Sequence, residues 1–198
     1  MNAPEKTLVI ACGALGRELV NLKALNALQH LDITCLPAIL HNRPAEIAPA
    51  VRRKIRTARA RGYDHILCLY GDCGSGGALD TVLQEEGVER IEGAHCYAFY
   101  AEPDAFETLM SEEIGTYFLT DYLARHFDRL VWKGLGLDRF PELRSDYFRH
   151  YTRMVHLVQI PDAMVTAKAK AAAERLGLPL ETRFTGLGSL LPFLTRAS

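Results

Sequence analysis

The chain has 198 residues, of which 48% are hydrophobic, and its 23 basic and 24 acidic side chains give a formal net charge of -1. Such a balance excludes the strong positive field of proteins that bind nucleic acid or anionic membranes. No apolar run reaches the roughly 18 residues of a membrane span. No hydrophobic signal core precedes the first predicted strand, so we expect a cytoplasmic protein without nucleic-acid or membrane partners.

The first half of the chain alternates short apolar runs with longer amphipathic stretches. The apolar runs have the length and composition of strands that are buried on both faces. The stretches between them repeat leucines at helical spacing or carry a basic face, which predicts helices. This alternation favours a parallel sheet with helices on both sides. The predicted strands cover residues 7–12, 31–36, 64–70 and 88–93, and the predicted helices cover 14–29, 45–61 and 78–86.

The pattern changes over residues 97–150, where aromatic side chains become dense. This segment predicts helices and no clear strand. We interpret it as a helical insertion that forms a lid over one end of the sheet.

The alternating pattern returns after the insertion. A strand is predicted at 153–159, then a helix that Pro161 and Asp162 open, and a final strand at 179–185. The sequence therefore predicts one α/β domain over 1–198, a three-layer sandwich with a mainly parallel, Rossmann-like sheet and the helical insertion.

The chain contains five cysteines, an odd number that a reducing compartment would keep as thiols. Cys35 and Cys68 lie within predicted strands, where small core residues are expected. Cys12, Cys73 and Cys96 instead follow the ends of three predicted strands. The carboxyl ends of parallel strands open onto one edge of a sheet, where ligands bind, so these three side chains are expected to converge. The alternative is that they are three unrelated buried cysteines, because no CxxC pair is present.

Convergent thiols at this edge predict a metal centre, and zinc is the expected metal because it prefers thiolate and imidazole ligands. Three protein ligands would leave an open position, as in catalytic zinc sites. His95 directly precedes Cys96, and adjacent residues of an extended segment face opposite ways, so either side chain is a candidate for the third position. The predicted ligands are Cys12, Cys73, His95 and Cys96.

A glycine-rich loop, Gly71–Gly77, follows the third predicted strand. It lacks the Lys-Ser/Thr pair of a Walker loop, and the chain has no dinucleotide fingerprint. The backbone amides of Gly74, Ser75 and Gly76 are candidates to bind the anionic part of a cofactor. Asp72 is a candidate general base or, equally, a turn residue.

Three further polar residues have both a functional and a plain interpretation. His41 is a candidate ligand or acid–base group, unless its loop only leads into the next helix. Tyr117 is a candidate catalytic residue, unless it packs at the base of a helix that Thr116 caps. Glu18 lies one turn into the first helix and is expected to face solvent.

Five short motifs recur in a familiar order. They are Ala11-Cys12-Gly13, Leu40-His41-Asn42-Arg43-Pro44, Tyr70-Gly71-Asp72-Cys73-Gly74, His95-Cys96 and Gly115-Thr116-Tyr117-Phe118-Leu119-Thr120. Together they resemble a prokaryotic family known as domain of unknown function 1638. Members often have one residue between the histidine and the cysteine that are adjacent here. Members also often accompany corrinoid-dependent methyltransferases of methylotrophic metabolism, so the resemblance implies a one-carbon context.

The residues and the resemblance predict a zinc–thiolate enzyme of methyltransferase type or a related enzyme, with a small-molecule substrate. The alternative is a non-catalytic accessory protein that holds a corrinoid or docks on a corrinoid protein or methyltransferase. A third hypothesis is a redox thiol protein in which Cys12 and Cys73 form a disulfide.

Overall fold

The computed structural model describes residues 7–196, which fall into two compact units. The first unit runs to Phe99 and takes in the C-terminal segment from Ser189, and the second spans Tyr100–Gly188. Each unit has its own parallel sheet. Within the described residues, no helix combines the length and the apolar character needed to cross a membrane.

The first unit contains a four-stranded sheet with the strand order β2-β1-β3-β4, in which all neighbours are parallel. The central strand β1 is buried on both faces, as its continuous apolar run predicts. Its elements are β1 (Thr7–Cys12), α1 (Gly16–Leu25), β2 (Leu31–Leu36), α2 (Ile47–Arg59), β3 (His65–Leu69), α3 (Ala78–Glu86) and β4 (Glu89–Arg90).

The second unit contains a three-stranded parallel sheet with the order β5-β6-β7. Asp162 begins its longest helix as an N-cap, because its carboxylate accepts hydrogen bonds from the amides of Met164 and Val165. The remaining elements of the chain are α4 (Cys96–Ala101), α5 (Pro103–Glu112), β5 (Thr116–Thr120), α6 (Asp121–Arg125), a π-helical turn (Asp128–Trp132), α7 (Leu143–Phe148), β6 (Arg153–Val158), α8 (Ala163–Leu176), β7 (Leu180–Phe184) and α9 (Leu190–Thr195).

The α/β class with parallel strands and flanking helices is confirmed, although the strands form two sheets. Residues 97–150 are mainly helical, but the expectation that they contain no strand is wrong, because β5 lies there. A short apolar run such as β5 cannot be told from a buried helical segment by periodicity alone. The interpretations of 97–150 as a lid and of 1–198 as a single domain stay predictions.

Candidate thiolate site

The strand order of the first unit creates a topological switch point between β1 and β3. After β1 the chain continues into β2, which lies on one side of the β1–β3 pair. After β3 it continues into β4, which lies on the opposite side. In open parallel sheets, ligands bind in the crevice beyond the carboxyl ends of the strands at such a point. Cys12 is the last residue of β1, and Cys73 lies in the loop that follows β3. Two of the three predicted cysteines therefore flank the usual binding position of this architecture.

The loop after β3 holds Cys73 in an unusual backbone conformation. Its φ of 48° lies in the left-handed region, which residues other than Gly, Asn and Asp rarely adopt. Its amide donates a hydrogen bond of 2.8 Å to the carbonyl oxygen of Ala94. A Cβ atom at Gly71 would lie 3.1 Å from backbone atoms of Gly93 and Ala94. Glycine at 71 thus lets the loop lie against the segment that leads to Cys96.

The sulfur of Cys73 interacts with the side chains of both His95 and Cys96. The Cys96 thiol and the His95 ring stabilise the negative charge of Cys73 by hydrogen bonds, and the nearby charge of His41 favours it further. These interactions outweigh burial and lower the pKa of Cys73 from 9.0 to about 5. Cys73 is therefore a thiolate at neutral pH, which is the nucleophilic and metal-binding form of cysteine.

The pKa values of the two partners of Cys73 are raised, whereas that of Cys73 is lowered. Hydrogen bonding to Cys73 raises the pKa of Cys96 well above its usual value, and burial raises it further, so Cys96 remains a thiol. Hydrogen bonding to Cys73 also raises the pKa of His95. Both adjacent side chains reach Cys73 because residues 92–95 bend and α4 starts at Cys96. The alternation expected of an extended segment therefore does not apply here.

Cys12 completes the set of three cysteines near the switch point. Burial raises the pKa of its thiol to about 11, while the Ala14 amide and the Tyr70 hydroxyl act in the other direction. The charge of Cys73 also influences it, which places the two thiols close together. These electrostatic interactions connect Cys12 with Cys73 and Cys96, and the convergence of the three side chains into one site stays a prediction.

Tyr70 is a site residue that the sequence analysis did not select. Its side chain is buried, with 3% of its surface exposed, and burial raises its pKa strongly. Its hydroxyl lies beside the Cys12 thiol but makes no hydrogen bond of normal geometry within residues 7–196. A buried hydroxyl without a partner costs free energy and favours a bound ligand or water. In the sequence, Tyr70 could have been selected because a tyrosine hydroxyl at the end of an apolar strand, directly before Gly71, lies where ligands bind.

His41 lies at the same crevice. A Cβ atom at Gly74 would lie 3.3 Å from Cγ of Pro44, so the Cys73 loop packs against the segment that carries His41. Burial lowers the pKa of His41, the negative charge of Cys73 raises it, and the charge of His95 lowers it. His41 therefore interacts with the thiolate site, as expected of a candidate ligand or acid–base group, and its catalytic role stays a prediction.

The glycine-rich loop is organised by Asp72. The carboxylate accepts hydrogen bonds from the Ser75 hydroxyl (2.6 Å) and from the amides of Gly76 (3.2 Å) and Gly77 (2.8 Å). These bonds lower the pKa of Asp72, so it is anionic and a weak base at neutral pH. The loop thereby satisfies its own amides before α3 begins. Cofactor binding by Gly74, Ser75 and Gly76, and catalysis by Asp72, stay predictions.

Tyr117 belongs to the second unit. It lies in β5, and its ring packs edge-on against Phe148 (5.5 Å between centroids) and Tyr151 (5.3 Å). Burial raises the pKa of its hydroxyl. The helix start expected at Thr116 is wrong, because Thr120 caps α6 by accepting a hydrogen bond from an amide one turn later. The catalytic role of Tyr117 stays a prediction.

Two expectations about burial are wrong and one is confirmed. Cys68 is fully buried, as expected. Cys35, in the edge strand β2, is exposed. Glu18 is 1% exposed rather than solvent-facing. It lies on the same face of the chain's first helical segment as the buried Leu15 and Leu22, three and four residues away.

The donor set is of the type that zinc prefers, namely thiolate sulfur with imidazole nitrogen. Within residues 7–196, however, no three His, Cys, Asp or Glu side chains are already placed around a common metal position. The zinc site stays a prediction.

The fold and this cluster define an α/β protein with a thiolate at the switch point of a parallel sheet. The chain belongs to the family described as "Protein of unknown function (DUF1638)", whose model matches residues 35–194. This range includes Cys73, His95 and Cys96, and it begins after Cys12. The resemblance inferred from the motifs is therefore confirmed. Comparisons with curated proteins and with solved structures find no match.

Proposed function

We propose that this protein is a small-molecule enzyme built on the Cys73 thiolate, which binds zinc together with Cys12 and Cys96, with His95 as the alternative third ligand. The observation that supports this proposal most directly is the lowered pKa of Cys73, caused first by the Cys96 thiol and then by His95. A metal ligand must be deprotonated, and Cys73 already is at neutral pH.

The other residues of the crevice have roles that follow from their protonation. Cys12 and Cys96 carry protons, which they would release on binding the metal. His41, whose pKa burial lowers, is the candidate acid–base group beside the thiolate. The Tyr70 hydroxyl, which lies beside the Cys12 thiol, can donate a hydrogen bond to a ligand. Bound zinc would polarise a substrate or hold a thiolate for methyl transfer, which fits the one-carbon context implied by the family resemblance.

All five cysteines are free thiols, which suits a reducing compartment, and we infer a cytoplasmic location. We retain a non-catalytic role as the alternative, in which the chain binds a corrinoid or docks on a corrinoid protein or methyltransferase.

Metal analysis of protein purified without an affinity-tag metal tests the proposal. We expect about one zinc per chain, lost in a Cys12→Ser, Cys73→Ser double variant. Cys35→Ser is the matched control, because Cys35 is exposed and is not one of the predicted ligands. Absence of metal together with cobalamin binding would overturn the proposal and favour the accessory role.

The contact between Cys73 and Cys96 supports a second candidate, a thiol redox function. The Cys73 thiolate would attack a low-molecular-weight disulfide, which forms a mixed disulfide on Cys73 and releases one small thiolate. Cys96, once deprotonated, would then attack the Cys73 sulfur and release the second small thiolate, which leaves a Cys73–Cys96 disulfide. We favour this pairing over the Cys12–Cys73 disulfide, because Cys96 is the hydrogen-bond partner of Cys73. Thiol counting and peptide mapping after treatment with oxidised glutathione would show the loss of these two thiols and no others. Five remaining thiols would exclude it.

A further inference from the structure

A cationic cleft lies within the second unit, where the end of α6 and the following turn face α8. Its volume is about 330 Å³, within the range of small-molecule sites. Five of its lining residues carry basic side chains and only one lining residue, Asp128, carries a carboxylate. The basic residues are Arg125, His126, Arg129, Lys168 and Arg175.

The carboxylates near this cleft neutralise only part of its positive charge. Arg175 pairs with Asp128, and Arg125 lies 3.5 Å from the carboxylate of Asp162. In the part of the chain that the structure describes, no carboxylate lies within ion-pair distance of Arg129 or Lys168. Two exposed cationic side chains at the cleft, Arg129 and Lys168, are therefore not engaged by a carboxylate of the described residues.

Besides burial, the same excess of positive charge lowers the pKa of His126. Burial lowers its pKa, and the charges of Arg129, Lys168 and Arg125 lower it further. The global field of the protein does not explain this, because the formal net charge of the chain is -1. The positive potential is local to the cleft.

One wall of the cleft is formed by α8. Lys168 and Arg175 are separated by seven residues on α8, so they lie on one face of the helix. Ala171 and Ala172 lie between them along the chain and leave room for a ligand. The guanidinium of Arg175 stacks over the Trp132 ring at 3.7 Å, which fixes its position.

We propose that this cleft binds a small molecule through a phosphate or diphosphate group, with Arg129 and Lys168 as the residues that contact the anion. A phosphate carries close to two negative charges at neutral pH and several strong acceptor oxygens. Arginine supplies a planar fork of donors for such a group, and lysine supplies a mobile point charge. The inference is independent of the thiolate site, since every lining residue belongs to Tyr100–Gly188.

Titration calorimetry of the full chain with pyrophosphate at low salt tests the proposal. We expect one binding site per chain, and we expect Arg129→Gln, Lys168→Gln to weaken binding by about 10-fold or more, because each removed charge contributes a charge-assisted hydrogen bond. The matched control is Lys133→Gln, Lys170→Gln. It removes the same charge from exposed positions outside the lining, one of them on the same helix.

The control should retain the affinity of the unmodified protein, and circular dichroism should show all variants folded. Each single variant, Arg129→Gln and Lys168→Gln, should have intermediate affinity. Three results would overturn the proposal: no heat of binding at millimolar pyrophosphate, equal loss in the control, or equally tight binding of the dicarboxylate succinate.

Discussion

The two sheets of this protein differ in how they use the polar residues at their strand ends. In the second unit, the Asp121 carboxylate accepts hydrogen bonds from His156 Nε2 (2.9 Å) and from the amides of Gln159 (3.2 Å) and Ile160 (2.9 Å). The Gln159 side chain accepts from the Asp121 amide in return (2.8 Å). Asp121 and His156 are almost completely buried. This network joins the ends of β5 and β6 and leaves the carboxylate fully hydrogen-bonded.

The first unit leaves its strand-end groups in a less complete network. Cys12, Cys73 and Cys96 are partly exposed, and the Tyr70 hydroxyl lacks a normal partner. Cys73 adopts a left-handed backbone conformation, which costs about 1–3 kcal/mol and is typical of functional sites. The comparison teaches that the same parallel architecture can hold a strand-end carboxylate in a buried hydrogen-bonded network, although His156 Nδ1 has no partner there among the described residues, or a reactive thiolate in a partly exposed one. Mutations should therefore affect stability in the second unit and reactivity in the first.

The largest effect on stability is expected for Asp121→Ala. The substitution leaves His156 Nε2 and two backbone amides buried without an acceptor, which should cost about 3–5 kcal/mol in the free energy of unfolding. Urea unfolding followed by circular dichroism measures this loss. Asp104→Ala, at an exposed position, is the control and should change stability by less than about 0.5 kcal/mol. A loss below about 1 kcal/mol for Asp121→Ala would show that the network is not structural.

The second prediction concerns the alkylation of Cys73 by iodoacetamide. Thiolate is the reactive form and its fraction rises as pH increases through the pKa, so the rate should reach half its plateau near pH 5. Cys96→Ala removes the largest stabilising contact and should move this midpoint upward. The rate at pH 6 should then fall by about 10-fold or more.

Mass spectrometry of the alkylated peptides provides the measurement. Cys35 is the internal reference, because its side chain is accessible to the reagent and its pKa is raised, by partial desolvation, whereas that of Cys73 is lowered. An unchanged midpoint in Cys96→Ala would contradict the assignment of Cys96 as the main partner of Cys73.

A smaller effect is expected for Gly71→Ala. The new Cβ atom would lie 3.1 Å from backbone atoms of residues 93 and 94, so the Cys73 loop must move. We expect a loss of about 1–3 kcal/mol in stability and a higher midpoint for Cys73 alkylation. Gly62→Ala is the control, because a Cβ atom there meets nothing within 4 Å and only its φ of 83° is strained. Gly62→Ala should destabilise the protein and leave the alkylation midpoint of Cys73 unchanged. Equal alkylation midpoints in the two variants would contradict the prediction.

The smallest effect on stability is expected for Tyr70→Phe. Removal of a buried hydroxyl that lacks a normal partner should change the free energy of unfolding by less than about 0.5 kcal/mol. Tyr63→Phe removes a hydroxyl that donates to Asp32 at 2.7 Å, so it should lower the free energy of unfolding more than Tyr70→Phe does. Thermal unfolding of the two variants makes the comparison. A larger loss for Tyr70→Phe than for Tyr63→Phe would show that the Tyr70 hydroxyl is satisfied.

The sequence by itself determined the alternation of strands and helices, because burial imposes a local periodicity that neighbouring residues record. It also placed Cys12, Cys73 and Cys96 near strand ends, and parallel topology then brings such ends to one edge. Asp162 as an N-cap was equally readable, since capping depends on a few adjacent residues.

Only the tertiary structure decided the features that depend on distant contacts. The division of the strands into two sheets and the identity of β5 rest on pairing between separate segments. The exposure of Cys35 depends on which segments cover each face of β2, which strand composition does not reveal. The low pKa of Cys73 arises from Cys96, His95 and His41, which meet only after the loops pack at Gly71 and Gly74. A pKa is set by charges and hydrogen bonds in space, so sequence spacing alone could not predict it.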